Sequence, residues 1–104
     1  MDYEFWKATD PAFVEKKSGG AKTHNLKTWP EYFQAVRMGT KTFEVRKNDR
    51  GFQVGDYLLL QEYYPADGDY SGRQVNLHVT YILEGGQFGV EPGYCVMGFE
   101  RIKP

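Results

Sequence analysis

The feature that most constrains the fold is an alternation of apolar and polar residues with a period of two. Val75, Leu77, Val79 and Tyr81 are separated by single polar residues. Such a segment is typical of a β-strand that buries one face, because an amphipathic helix would repeat every 3.6 residues or so, about one turn. The sequence therefore predicts a molecule organised around a β-sheet.

Further strands are predicted on both sides of this one. Phe43 and Val45 are expected on one face of a strand and Thr42, Glu44 and Arg46 on the other, as in a strand with one packed face. Clusters of turn-forming residues and a glycine-rich loop separate the strands. The remaining strands are predicted at 24–27, 57–63 and 94–102, with turns or loops at 47–51, 65–72 and 84–93.

One helix is predicted from its first residues. The segment Thr28 to Glu31 has the form of a capping box, in which the two side chains bond free backbone N–H groups of the first turn. Apolar residues spaced by three and four follow, and Gly39 ends the helix. A shorter helix is expected after Asp10 and Pro11. These elements predict an α+β domain built round a curled sheet or barrel.

The length and the cysteine count exclude several classes of protein. A chain of 104 residues has room for one domain, and the single Cys95, predicted to be a buried thiol, excludes an internal disulfide framework. No apolar run reaches the roughly 18 residues of a membrane span, and the first residues lack the pattern of a signal peptide. We therefore expect a cytoplasmic protein. His24 and His78 lie far apart in sequence, so no metal or other cofactor is expected.

The net charge of −1 conceals an uneven distribution along the chain. Residues 1–50 carry ten basic and seven acidic side chains, and residues 51–104 carry three and seven. Residues 16–50 alone have nine basic and three acidic side chains, a balance of +6. Such asymmetry can attract polyanions. The alternative is that these charges are dispersed and only solvate the surface, and near-neutrality of the whole chain argues against a strongly basic nucleic-acid binder.

The segment 39–50 concentrates cations around Glu44 on a predicted strand and the turn beside it. One interpretation is a ladder of surface ion pairs, each of which stabilises the fold by only about a few tenths of a kcal/mol. The other is that Lys41, Arg46 and Arg50 converge on a phosphate or a base edge, with Glu44 accepting a hydrogen bond from an exocyclic amine. The residues alone leave both interpretations open.

The chain resembles a family of small bacterial and phage proteins in the ASCH group of the PUA-like superfamily. The resemblance rests on the segments 24–56 and 79–97 and covers most of residues 24–102, whereas residues 1–23 lie outside it. Its most specific part is a Gly-x-Lys-x-x-Glu-x-Arg pattern followed by Val-Gly-Asp. The pattern is formed by Gly39, Lys41, Glu44, Arg46 and residues 54–56.

The resemblance implies a small β-barrel of about five to six strands with one or two flanking helices, formed by residues 24–104. Residues 1–23 are expected to be an extension that packs on it. A cleft beside a helix is implied to bind RNA or a nucleotide, a modified nucleoside included. Lysine would supply a point charge for phosphate, arginine a planar fork, and glutamate an acceptor for a base edge. The expected binding residues are Lys41, Glu44, Arg46, Lys47 and Arg50, with Trp29 and Tyr81 as stacking surfaces.

Two other functions remain open at this point. Some ASCH proteins resemble amidohydrolases acting on acylated cytidine through a lysine, a threonine and a glutamate. Lys41 matches that lysine, but Glu44 stands where the threonine belongs, so these two residues are only candidate catalytic groups. The third possibility is an accessory protein of a phage or mobile element that binds a host protein through residues 1–23. Of the three, binding of RNA or a nucleotide is the prediction, and amidohydrolase activity is the main alternative.

Overall fold

Five strands form one sheet in the computed structural model, which describes residues 20–102. The sheet curls into a half-barrel, and its strand order is β1-β3-β4-β5-β2. β1 and β3 are parallel, and every other neighbouring pair is antiparallel. The elements are β1 (Thr23–Thr28), α1 (Pro30–Arg37), β2 (Phe43–Lys47), β3 (Tyr57–Tyr64), β4 (Asp69–Glu84) and β5 (Tyr94–Arg101).

The predicted α+β domain with a curled sheet is confirmed, and the predicted strands are found close to their expected places. β4 is longer than expected because the turn before it is shorter. The N–H groups of Asp67 and Gly68 both donate to the carbonyl of Tyr64, and Gly68 has a φ of 66°. This tight turn reverses the chain at once, so the second half of the predicted turn already belongs to the strand. The expected helix after Asp10 and the proposed extension 1–23 lie largely outside the described residues.

The predicted capping box is wrong, although the helix itself is present. Trp29 occupies the N-cap position and makes no side-chain cap bond, and Pro30 occupies the first helical turn. Thr28 is the last residue of β1, and its buried hydroxyl donates to the carbonyl of Leu26 at 3.2 Å. The helix begins at Pro30 without a side-chain cap, because proline has no N–H to leave unpaired in the first turn and its φ already suits a helix.

The main hydrophobic core lies between the curled sheet and α1. Leu26, Leu60 and Val75 are aligned across β1, β3 and β4, and Phe33 and Val36 of α1 are buried. Cys95 is also buried, as predicted, and burial raises the pKa of its thiol. The core residues are Leu26, Phe33, Val36, Phe52, Leu58, Leu60, Val75, Leu77, Val79, Cys95 and Met97.

A buried carboxylate fixes the start of β1 beside β3. Asp56 accepts hydrogen bonds from the N–H groups of Lys22 and Gln53 and lies 2.8 Å from Nε2 of His24. His24 in turn packs edge-on against the ring of Phe52. The Val-Gly-Asp segment of the motif therefore has a structural function here, and it sets where β1 runs relative to the rest of the sheet.

A second buried carboxylate ties the sheet to α1. Both oxygens of Glu62 accept bonds from Arg73, at 3.0 Å from Nε and 2.9 Å from Nη2. The guanidinium of Arg73 also lies over the ring of Phe33, 5.3 Å from its centre. Bidentate pairing of this kind fixes direction as well as charge, so Arg73 positions the helix over β3 and β4.

We expect the Glu62 pair to make stability depend on pH in the acid range. The hydrogen bond from Arg73 holds the pKa of Glu62 below its ordinary value of 4.5. The unfolded chain therefore binds the proton more readily, so the pair stabilises the fold above that ordinary pKa and loses this effect as pH falls through the lower folded-state value. The free energies of unfolding of wild type and Glu62→Gln, measured with urea, should differ most near neutral pH and become similar in acid. A difference that is independent of pH would contradict this.

The loop between β4 and β5 requires glycine at position 85. A Cβ atom there would lie well inside van der Waals contact of the carbonyl oxygens of Glu91 and Tyr94. We expect Gly85→Ala to lower the free energy of unfolding by about 1–3 kcal/mol, because backbone must move to admit the methyl group. Gly98→Ala is the matched control, since its Cβ would meet Tyr81 Cβ at an ordinary 3.8 Å. Equal thermal midpoints for the two variants would refute this account.

Within residues 20–102, no helix is long and apolar enough to cross a membrane.

Candidate functional site

The two edge strands of the sheet, β1 and β2, each have one side without a neighbouring strand. The carbonyl of Thr42 accepts from the N–H of Phe99 in β5, and the N–H of Asn48 donates to the carbonyl of Gly93, the residue before β5. Because bonding alternates along an antiparallel ladder, the backbone groups of Phe43, Val45 and Lys47 point away from β5. β2 therefore presents polar backbone groups along its free side.

β1 also presents polar backbone groups along its free side. The carbonyl of Lys22 accepts from the N–H of Tyr57 in β3. The parallel ladder then turns the even-numbered residues of β1 toward β3, and the carbonyls of Asn25 and Lys27 point to the free side. We call the gap between the free side of β1 and the free side of β2 the seam.

Two arginines bridge the seam. Nη2 of Arg46 donates to the carbonyl of Lys27 at 3.0 Å and lies 3.3 Å from Oγ1 of Thr28. Nη1 of Arg50 donates to the carbonyl of Asn25 at 2.8 Å. Guanidinium groups thus satisfy free carbonyls that a further strand would otherwise bond, and they link the two free edges of the half-barrel.

A cleft opens at one end of the seam, where β1 ends and α1 begins. Its volume is about 440 Å³, which lies within the range of pockets for small ligands. One wall comes from the end of β1 and the start of α1, and the other from β2 and Lys41, which lies two residues before that strand. The cleft is lined by Lys27, Thr28, Trp29, Tyr32, Lys41, Glu44, Val45 and Arg46.

The base of the cleft is a carboxylate held between two cations. Glu44 is only 2% exposed, and its Oε1 lies 2.7 Å from Nζ of Lys41 while its Oε2 lies 3.0 Å from Nε of Arg46. The cations themselves are partly exposed. Burial of a carboxylate is unfavourable unless it is paired and hydrogen-bonded, and this arrangement satisfies both oxygens.

This geometry corrects the predicted orientation of β2. Phe43 and Val45 are 45% and 48% exposed, whereas Glu44 is buried, so the polar face of this strand is the one turned inward. The pattern alone favoured the apolar face, as it would in a strand packed on a hydrophobic core. At this edge of the sheet the inner face borders the cleft, where Lys41 and Arg46 compensate the charge of Glu44.

Aromatic rings form the exposed wall of the cleft. Trp29 is 53% exposed and Tyr32 is 46% exposed. The ammonium of Lys41 lies 5.4 Å from the centre of the Tyr32 ring and 5.5 Å from that of Phe43. Large exposed rings next to cations offer a stacking surface beside an anion site.

Both cations keep donors for a ligand. Among the described residues, the bonds of Arg46 use Nε and Nη2, and that of Lys41 uses one of three ammonium protons. Arg46 therefore has Nη1 available, and Lys41 has two protons available. Glu44 has no comparable exposure, so it positions the two cations rather than reaching into the cleft.

A second, smaller pocket continues along the seam from the cleft. Its volume is about 210 Å³, and it shares Arg46 with the cleft. Lys47 and Arg50 are exposed at this pocket, and so is the carboxylate residue Asp49. The remaining lining residues are Leu26 and Phe52.

The structure brings most of the predicted binding residues together along the seam. Trp29, Lys41, Glu44 and Arg46 line the cleft, and Lys47 and Arg50 line the second pocket. Tyr81 is placed elsewhere. It shares a cross-strand row with Gly98 and Phe43, on the face of the sheet opposite Glu44, and it lines neither pocket.

Sequence reasoning missed four cleft residues: Lys27, Thr28, Tyr32 and Val45. Tyr32 is one of the apolar residues spaced by three and four in the predicted helix, and that spacing indicates only a packed face. Thr28 and Lys27 reach the site because β1 runs beside the free edge of β2, which no local pattern indicates. Within the described part of the chain, no group of three or more His, Cys, Asp or Glu side chains could hold a metal ion.

These features define a small, mostly β domain with a cationic, aromatic cleft between the edges of a half-barrel. The chain belongs to the family described as "Domain of unknown function (DUF3850)", whose model matches residues 23–99. That match contains every residue that lines the cleft and the second pocket.

The chain is also similar to a protein of Escherichia phage P2 called "Uncharacterized 12.9 kDa protein in GpA 3'region". The two are 38% identical over 64 residues, which is 62% of this chain and 57% of the phage protein. The chain thus matches little more than half the length of this relative.

Proposed function

We propose that this protein is an ASCH domain of the PUA-like type that binds RNA or a nucleotide in the cleft. The observation that carries the proposal is the combination of two exposed aromatic rings with two partly exposed cations in one cavity of about 440 Å³. A base would stack on Trp29 or Tyr32, and the phosphate attached to it would bind Lys41 and Arg46.

The ion pairs at the base of the cleft support a binding role for Lys41 and Arg46. Glu44 restricts both cations to one geometry, so they lose less conformational freedom when an anion binds. The planar fork of Arg46 offers its free Nη1 to a phosphate oxygen or to a base edge. Val45 adds backbone N–H and C=O groups on the same wall, and these can pair with the edge of a base.

Pairing with Glu44 favours a binding function for Lys41 over the amidohydrolase alternative, in which this lysine would act as base or nucleophile. We expect no release of cytidine when the protein is incubated at high concentration with N4-acetylcytidine and the mixture is separated by chromatography. Released cytidine that disappears in Lys41→Ala would establish the amidohydrolase function instead.

Binding of RNA should depend on Trp29 and on salt. Fluorescence polarisation with a short, random single-stranded RNA pool should give saturable binding at low salt, and affinity should fall as salt increases because counterions are released from phosphates. Trp29→Ala should weaken binding by about 5- to 150-fold, since stacking on one base stabilises a complex by about 1–3 kcal/mol.

Phe88→Ala is the matched aromatic control, because Phe88 is highly exposed but lines neither pocket. We expect it to bind the RNA pool as wild type does. Binding that is insensitive to Trp29→Ala, or equally reduced in both variants, would exclude the cleft as the stacking site.

A further inference from the structure

The second pocket extends the cleft along the free edge of β1. Arg46 belongs to both cavities, and Arg50 lies in the second one. The two guanidinium groups are fixed by the same strand, since Arg46 donates to the carbonyl of Lys27 and Arg50 to that of Asn25. They are therefore held in register with β1 rather than free to approach each other.

The spacing of these two arginines follows from strand geometry. Asn25 and Lys27 are two residues apart, and a parallel strand rises by about 3.3 Å per residue, so the two carbonyls lie about 6.6 Å apart. This separation is comparable to that of successive phosphates along a single strand of nucleic acid. It is much longer than the distance between the two phosphorus atoms of a diphosphate group.

The charges that line the cleft and the second pocket favour an anionic ligand. The cationic residues that line the two cavities are Lys27, Lys41, Arg46, Lys47 and Arg50. Against these five stand the two carboxylates of Glu44 and Asp49, which leaves a net charge of +3. Glu44 is already engaged by Lys41 and Arg46, and Asp49 is the one carboxylate that would face a phosphate in the second pocket.

The geometry points to a ligand of at least two linked nucleotides, with successive phosphates at Arg46 and Arg50 and one base in the aromatic cleft. This inference rests on the proposed nucleotide binding and selects a single strand over a free nucleoside or mononucleotide. The strand lies along the seam, and β1 sets the distance between its two phosphate sites.

Three ligands of defined phosphate spacing test the inference by isothermal titration calorimetry. They are a nucleoside 5′-monophosphate, the nucleoside 5′-diphosphate, and a dinucleotide that carries a 5′-phosphate. The diphosphate and the dinucleotide have nearly the same charge at neutral pH but different phosphate spacing. We expect the dinucleotide to bind at least about tenfold more tightly than the monophosphate. The affinity of the diphosphate should exceed that of the monophosphate by a clearly smaller factor.

Each outcome separates the two proposals. If none of the ligands binds, the proposed function fails. If the monophosphate binds and the dinucleotide binds no more tightly, the inference of two phosphate sites at Arg46 and Arg50 is overturned, while the proposed function stands. The same holds if the diphosphate and the dinucleotide bind with equal affinity.

Variants of Arg50 provide a second test that does not depend on absolute affinity. Arg50→Ala should reduce the ratio of dinucleotide to monophosphate affinity to near one, and Arg50→Lys should restore part of it because the charge returns without the planar fork. Lys22→Ala, which removes a cation outside both cavities, should leave the ratio as in wild type. Circular dichroism shows whether each variant is folded. An unchanged ratio of dinucleotide to monophosphate affinity in folded Arg50→Ala would overturn the inference of two phosphate sites.

Discussion

Simultaneous replacement of Lys41 and Arg46 by alanine is expected to weaken binding of a random single-stranded RNA pool by at least about 100-fold. Each residue would donate charge-assisted hydrogen bonds to the ligand, and a bond to a charged group stabilises by about 1.5–3 kcal/mol. The double variant also removes both partners of Glu44. Fluorescence polarisation at low salt measures the effect.

The control for this variant removes the same net charge from elsewhere. Lys22→Ala with Arg37→Ala lowers the total charge by two, and neither residue lines the cleft or the second pocket. We expect only the small loss that general electrostatic attraction produces. If the control loses as much affinity as the double variant at Lys41 and Arg46, binding depends on overall charge and not on this site.

The largest effect on stability is expected from Phe33→Ala. Phe33 is completely buried in α1, and the guanidinium of Arg73 lies over its ring. Loss of a buried phenylalanine side chain destabilises proteins by about 3–5 kcal/mol, because apolar contacts are lost and a cavity remains. Urea unfolding at neutral pH should show this decrease in the free energy of unfolding.

Met38→Ala is the matched comparison for Phe33→Ala. Met38 follows α1 at its C-cap and is 68% exposed, so its replacement should change the free energy of unfolding by no more than about 0.5 kcal/mol. A small effect of Phe33→Ala would mean that α1 contributes little to the core. The aromatic wall of the cleft, which α1 carries, would then not be held rigidly.

The sheet could be predicted from sequence because its strands follow local patterns. The alternation at Val75, Leu77 and Val79 is a property of neighbouring residues, and it identified β4 directly. A register shift after Val79 breaks the pattern, so Tyr81 is half-exposed and not on the packed face. The helix was also located correctly, because Gly39, with a φ of 81°, follows its last turn. The capping box was wrong because the residue before a proline is disfavoured in the helical region, so Trp29 is extended and the helix begins at Pro30, one residue later than a Thr28 cap requires.

The cleft could be predicted only in part, because it depends on which strands lie side by side. Lys41, Glu44 and Arg46 were identified from their motif, and the structure brings them into contact. Their partners on β1 could not be identified, because the approach of β1 to β2 results from the curl of the whole sheet. The burial of Glu44 has the same origin, since a local pattern assigns a carboxylate to the solvent side.

The structure also explains the spacing within the Gly-x-Lys-x-x-Glu-x-Arg motif. Gly39 adopts a positive φ directly after the C-cap of α1, where the helix ends. Lys41 then lies two residues before β2. Glu44 and Arg46 are two residues apart and so share one face of the strand. The motif thus describes one buried carboxylate with a cation on either side, which is the base of the cleft.

The most direct test of nucleotide binding in the cleft is an NMR titration of the ¹⁵N-labelled protein with a 5′-phosphorylated dinucleotide at low salt. The indole N–H of Trp29, the Nε–H of Arg46 and the amide of Val45 should shift together and saturate at one ligand per protein. Resonances that do not move, or shifts confined to the opposite face around Tyr81 and Gly98, would contradict the account.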